Sequence, residues 1–227
     1  LFNMALLLHE HIQPEGALGL WRIEEPEAWF LTQLDLAPSE LQQLERLRGR
    51  RRAEWLAARQ LVHQMSGRAK RAVFWKDEYG KPHLRDSAYD ISISHSHGLA
   101  AAIAAPQAVG IDIQKMVPKL ERISPKYMRP AELESLSETH DRLAQLHVYW
   151  GAKEALYKAY GRRALDFRKH IHIFPFSYQE AGGTTTGYIE KETIRLQFHL
   201  QYQYREEHML VYAVENNTPP ESPRLNQ

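Results

Sequence analysis

The sequence predicts an α+β protein made of two similar halves, on three observations. Strand-like segments, one long helix and further strand-like segments follow one another in each half of the 227 residues. The composition, 43% hydrophobic and 25% charged, is that of a chain with a sizeable core. The two patterns meet near residues 106–109, which gives the expected division: residues 1–107, residues 108–215 and a disordered tail 216–227 rich in proline.

The elements follow in order. Ala5–Leu8 and Ala17–Ile23 read as strands, and Pro26-Glu27 opens a short helix with proline and an acid in its first turn. Ser39 is the expected cap of the next helix. From Glu40 to Met65, Leu41, Leu44, Leu47, Leu56, Leu61 and Val62 recur at roughly helical spacing, which predicts one long or interrupted helix ending near Gly67. Val73–Lys76, Ile91–Ser94, Leu99–Ala104 and Val109–Ile113 read as strands, the first followed by a turn over residues 78–82. Prolines 118, 125 and 130 predict loops and one short helix over residues 116–138. A second long helix is expected from Asp141 to Tyr160, closed by Gly161. Ile171–Phe176, Thr184–Ile189, Thr193–Tyr202 and His208–Val214 read as strands.

The charge balance excludes some classes. Lys+Arg 29 against Asp+Glu 28 gives +1, too neutral for a nucleic-acid footprint despite the arginines at 46, 48, 50, 51, 52 and 59. With no cysteine, a disulfide framework, an Fe–S cluster and a thiolate zinc site are excluded. The apolar run Met4–Leu8 is too short for a signal-peptide core or a membrane span. The expectation is a soluble cytoplasmic protein with no nucleic-acid or membrane partner.

Three segments carry polar groups where apolar elements end. Ile91-Ser92-Ile93-Ser94-His95-Ser96-His97-Gly98 puts hydroxyls and imidazoles at a strand end, fit for phosphate oxygens or for a polar turn. Adjacent strand residues face opposite ways, so Ser94 and His95 make a poor nucleophile and base. Val109-Gly110-Ile111-Asp112-Ile113-Gln114 places Asp112 and Gln114 on one face of an apolar strand, suited to a hard cation or to solvent. Trp150-Gly151-Ala152-Lys153-Glu154-Ala155-Leu156-Tyr157-Lys158 contains an i,i+4 Glu154–Lys158 pair, which by itself reads as an ordinary helix-surface pair.

In combination the segments are more specific. Tyr79-Gly80-Lys81-Pro82, Ile93-Ser94-His95-Ser96, Val109-Gly110-Ile111-Asp112-Ile113 and Trp150-xx-Lys153-Glu154-xxx-Lys158-xx-Gly161 occur in an order that resembles the 4′-phosphopantetheinyl transferases. The match is to their larger, monomeric class, whose halves are related by a pseudo-twofold, each with a small antiparallel sheet and a long helix. The resemblance implies a holo-[acyl-carrier-protein] synthase. Such an enzyme moves 4′-phosphopantetheine from coenzyme A to a serine of an apo acyl carrier protein or peptidyl carrier domain, releasing 3′,5′-ADP, with Mg²⁺ or Mn²⁺. Carriers of fatty-acid, polyketide, nonribosomal-peptide or lysine biosynthesis all fit.

By the same resemblance, Asp112 and Glu154 are the metal ligands, with Gln114 standing where many members have a third acid. Asp112, Glu154 and Lys158 form the catalytic set, Glu154 or a metal-bound water taking the serine proton. Arg52, Arg59, Lys81, Ser94, His95, Lys153 and Lys158 are the expected coenzyme A contacts, Arg52 and Arg59 for the 3′-phosphate with Arg50 and Arg51 as alternatives. The stretch 116–140, with Met116, Val117, Tyr127, Met128 and Leu133, is the expected carrier-docking surface. A nucleic-acid-binding module and a carrier-binding protein without catalysis are the competing readings.

Overall fold

The computed structural model describes residues 5–138 and 141–216. Met4 and all of the expected tail except Asn216 lie outside them. Strands β1 (Leu6–His11) and β2 (Ala17–Arg22) form an antiparallel hairpin, followed by helices α1 (Glu27–Gln33), α2 (Pro38–Glu45) and α3 (Arg50–Ser66). The helix predicted over 40–65 is therefore interrupted, because Gly49 takes a positive φ of 55° and re-aims the chain into α3. Ser39 is not the cap of α2. Pro38 fills the first helical position, and Glu40 bends back to accept the N–H of Ala37 at 3.1 Å. Gly67 closes α3 in the left-handed region, φ 59°.

The short hairpin β3 (Phe74–Lys76) and β4 (Pro82–Leu84) precedes β5 (Asp90–Ser96) and β6 (Leu99–Ala105). The first sheet has the order β1-β2-β6-β5, each neighbour antiparallel. Leu56, Ala57, Leu61 and Val62 of α3 pack onto it with Phe30, Phe74 and Ile91. The second half starts at β7 (Val109–Lys115) and continues through α4 (Lys119–Tyr127), α5 (Pro130–Glu134) and α6 (Arg142–Tyr160). Strands β8 (Ile171–Ile173), β9 (Gly183–Lys191), β10 (Ile194–Arg205) and β11 (His208–Glu215) complete a second antiparallel sheet, β7-β11-β10-β9-β8.

Two expectations for this half need correction. Residues 116–138 form two short helices rather than one, since Pro118 and Pro130 each sit at a helix start, where a missing N–H costs nothing. Pro125 is tolerated near the end of α4: it leaves the carbonyl of Glu121 without its usual donor, and the hydroxyl of Ser124 takes that place at 2.9 Å. Strand β8 stops at Ile173 instead of reaching Phe176.

The architecture is α+β, with an antiparallel sheet and one long helix in each half. The halves share a core, in which Leu18, Leu20 and Ile103 of the first sheet meet Val109, Ile111, Leu210 and Tyr212 of the second. No helix among the described residues is long and apolar enough to cross a membrane.

Candidate active site

The strict alternation of β5 determines how the halves join. Asp90, Ser92, Ser94 and Ser96 share one face. Asp90 accepts the N–H of Val109 at 2.9 Å, Ser92 that of Ile111 at 3.1 Å, Ser94 that of Ile113 at 3.2 Å and Ser96 that of Lys115 at 3.2 Å. Polar side chains thus replace a neighbouring backbone along the free edge of β7, whose buried N–H groups must find acceptors. The serines read as a phosphate-binding end are first of all this ladder.

Two glycines bring α6 onto β7 and β11 of the second sheet. A Cβ at Gly110 would stand 1.8 Å from the carbonyl oxygen of Ala155, and one at Gly151 would stand 2.6 Å from a methyl of Val211. Without side chains there, the helix settles against the sheet, and Asp112 comes to lie beside the C-terminal half of α6. The Lys158 ammonium donates to Asp112 Oδ1 at 2.8 Å, to the carbonyl of Ile111 at 2.8 Å and to Ser94 Oγ at 3.0 Å. Ser94 in turn donates to Asp112 Oδ1 at 3.0 Å. One turn back, the half-buried Glu154 has no hydrogen bond or ion pair among the described residues. Burial first, and then the charge of Asp112, push its carboxyl above the ordinary range, with Lys158 opposing. Gln114 shares the face of Asp112, and its amide nitrogen donates to the carbonyl of His147 on α6 at 3.2 Å.

A groove leads to this cluster along the other face of β5. At one end Lys76, Tyr79, Lys158, Arg162 and Arg163 line about 280 Å³. The middle, another 280 Å³, runs over Trp75, Ile93 and His95. The far end opens into about 410 Å³ edged by Arg48, Arg50, Arg51, His95 and His97. Trp75 and Tyr79 present exposed aromatic faces to it. His95 is held by the buried Glu54, Nδ1 to Oε2 at 3.1 Å, and the other oxygen of Glu54 pairs with Arg50 at 3.0 Å.

Of the expected site residues, Asp112, Glu154, Lys158, Ser94 and Gln114 come together, and His95 faces the groove. Lys81 lines it too, but its ammonium is engaged by Asp90 at 2.7 Å and by the carbonyl of Ala159 at 3.0 Å. Lys153 is a correction. It is fully buried, donating to Glu132 at 2.9 Å and to the carbonyls of Phe167 at 2.9 Å and Ile171 at 2.8 Å, so its protons are spent inside the second core and none reaches the groove. Arg52 is turned to Glu27 at 2.8 Å and to the carbonyl of Leu44 at 2.6 Å, outside the groove lining. Arg59 lines the middle of the groove but is only 3% exposed, held between Trp55 and Phe74, with burial bringing its guanidinium down to about 9.

Sequence reasoning missed Glu54, Lys76, Arg162 and Arg163. Glu54 looks like an ordinary i,i+4 partner of Arg50, and Arg162-Arg163 directly follows the recognisable cap Gly161. Among the docking candidates, Tyr127 and Met128 are buried, whereas Val117 is exposed.

Two family models match the chain. The 4′-phosphopantetheinyl transferase superfamily matches residues 108–214, and the 4′-phosphopantetheinyl transferase N-terminal domain matches residues 39–105. No curated protein matches it. The chain belongs to the 4′-phosphopantetheinyl transferase superfamily, and its activity is phosphopantetheinyl transfer with coenzyme A as the substrate.

Proposed function

We propose that the protein transfers 4′-phosphopantetheine from coenzyme A to a serine hydroxyl of an apo acyl or peptidyl carrier protein, releasing 3′,5′-ADP in a Mg²⁺-dependent reaction. The observation that carries this reading is Glu154, a half-buried carboxylate with no hydrogen bond or ion pair among the described residues, close to Asp112 and one helical turn from Lys158, which lines the inner end of a cationic groove.

The donor set fits a divalent cation. Asp112 and Glu154 bring two carboxylates against one ammonium, and burial first, then the charge of Asp112, raise the pKa of Glu154. No group of three or more acidic or histidine side chains able to hold a metal occurs among the described residues. Asp112 and Glu154 would therefore hold the ion with the amide oxygen of Gln114 and water, a mixed oxygen shell that suits Mg²⁺. When bound, the ion neutralises the pyrophosphate and the departing 3′,5′-ADP.

The chain's own groups do the rest. The carrier serine oxygen forms a bond to the β-phosphorus of coenzyme A while the bond from that phosphorus to the bridging oxygen of 3′,5′-ADP breaks. Glu154 takes the serine proton. Lys158, placed by Asp112, Ser94 and Ile111, sets an ammonium beside the reacting phosphates. Arg50 and Arg51, which line the far end of the groove with His95, replace Arg52 and Arg59 as the groups for the 3′-phosphate. Trp75 and Tyr79 give the ligand aromatic faces to lie against. The test is the mass of apo carrier proteins after incubation with coenzyme A and Mg²⁺, with the wild type and Glu154→Gln compared.

A further inference from the structure

Glu54 is the one acid among the described residues that line the middle and the far end of the groove. Its side chain is 5% exposed, and each carboxylate oxygen has a partner, Arg50 Nε at 3.0 Å and His95 Nδ1 at 3.1 Å. Those partners are themselves open, 65% and 48% exposed. Burying a carboxylate is unfavourable unless its charge is met, and neither partner belongs to a core that needs this acid. Its place is explained by the groove wall.

The protons of His95 carry the explanation. Alternation along β5 puts Ile91, Ile93 and His95 on the face opposite the serine ladder, toward α3 and the groove. A carboxylate only accepts hydrogen bonds, so the proton between Glu54 and His95 belongs to Nδ1. A neutral imidazole has one proton, which leaves Nε2 as an acceptor. Nε2 makes no hydrogen bond among the described residues. A phosphate dianion is an acceptor as well, so the two repel unless the ring holds a second proton.

The charges around the ring divide on that proton. Arg48, Arg50, Arg51 and Arg59 beside or within α3, Lys76 on β3 and His97 after β5 oppose it. Glu54, in direct contact, favours it, and so does an anion arriving at Nε2.

Resting on the reading of this groove as the coenzyme A site, we propose that Glu54 is a positioning residue that fixes the tautomer of His95, so that the 3′-phosphate is met by an imidazolium and binds together with one proton. Dephospho-coenzyme A lacks that phosphate and takes up no proton there. Discrimination between the two ligands is therefore strongest where a histidine ring is readily charged and weakens as the pH rises beyond about 8. Ionisation of the phosphate itself, with a second pKa of about 6, works in the opposite direction.

The experiment titrates the full-length protein with coenzyme A and with dephospho-coenzyme A by calorimetry at pH 6.5, 7.5 and 8.5, and records the ¹⁵N signals of His95 with and without coenzyme A. The preference for coenzyme A should fall about fivefold or more from the lowest pH to the highest. In the coenzyme A complex at pH 7.5 both ring nitrogens should be protonated. In Glu54→Gln the amide can donate to Nδ1, which leaves a neutral ring with its proton on Nε2. This variant should prefer coenzyme A less at pH 6.5 and show a flattened pH profile. A purely structural role for Glu54 would weaken both ligands alike and keep the wild-type profile, which would overturn the proposal. A preference that is constant or rises with pH, or a neutral His95 in the wild-type complex, would also overturn it, and neither result needs the variant to fold. Binding of neither ligand at any pH would overturn it together with the transferase reading, whereas coenzyme A binding without the pH dependence would leave that reading standing.

Discussion

Replacing Ser92 by alanine tests whether the ladder between β5 and β7 holds the two halves together. The change removes one oxygen and introduces no bulk. Ser92 is 3% exposed and Ile111 is fully buried, so the N–H of Ile111 loses its acceptor at 3.1 Å without gaining water. A buried donor left unmatched costs about 1–3 kcal/mol. For a chain of this size, that lowers the melting temperature by roughly 2–4 °C per kcal/mol, or about 4–8 °C at the middle of the range. The control is Ser87→Ala: that hydroxyl accepts the N–H of Tyr89 at 3.1 Å outside the buried core, and its loss should stay within about 0.5 kcal/mol. Urea unfolding followed by far-UV circular dichroism measures both, with the midpoint moving and the slope unchanged. A Ser92→Ala midpoint equal to that of Ser87→Ala would refute the ladder as a stabilising joint.

Three further outcomes are expected. Lys153→Met should destabilise the fold by about 3–5 kcal/mol, because Glu132 is left buried without its partner, while the folded fraction binds coenzyme A normally by calorimetry. Weakened binding in folded protein would return Lys153 to the site. Arg51→Glu should weaken coenzyme A more than dephospho-coenzyme A, whereas Arg52→Gln should leave their ratio unchanged; equal losses for Arg51→Glu would remove it from the 3′-phosphate. His147 is buried and held below its ordinary pKa of 6.5, by burial foremost. It stays neutral in the fold while the unfolded chain takes up a proton, so stability should hold above pH 6.5 and fall as the pH drops through that value. The unfolding free energy of His147→Gln should depend less steeply on pH between pH 7 and 5.5, and an unchanged slope would rule this out.

Local signals made much of the fold legible. Gly67 and Gly161 mark the ends of the two long helices because each takes a left-handed conformation that glycine adopts freely. Alternation gave β5 and β7 and placed Asp112 and Gln114 on one face, which the contact of Gln114 with α6 bears out. What stayed hidden is tertiary. The serine ladder pairs side chains with a backbone 19 residues away, and alternation cannot say what the polar face meets. Lys153 and Lys158 look alike in the sequence, but α6 is packed on most sides, so one lysine enters the core and the other reaches Asp112. The arginines of α3 divide too, Arg59 being almost wholly buried against Glu40 under the middle of the groove and Arg50 and Arg51 lining its open end.

The most direct test of the transferase assignment is the intact mass of a panel of apo carrier proteins after incubation with coenzyme A, Mg²⁺ and this protein. The wild type should add the mass of one phosphopantetheine to at least one carrier, and Glu154→Gln, with unchanged circular dichroism, should add almost none. A wild type that modifies no carrier, or a Glu154→Gln variant that modifies one at the wild-type rate, would contradict the account.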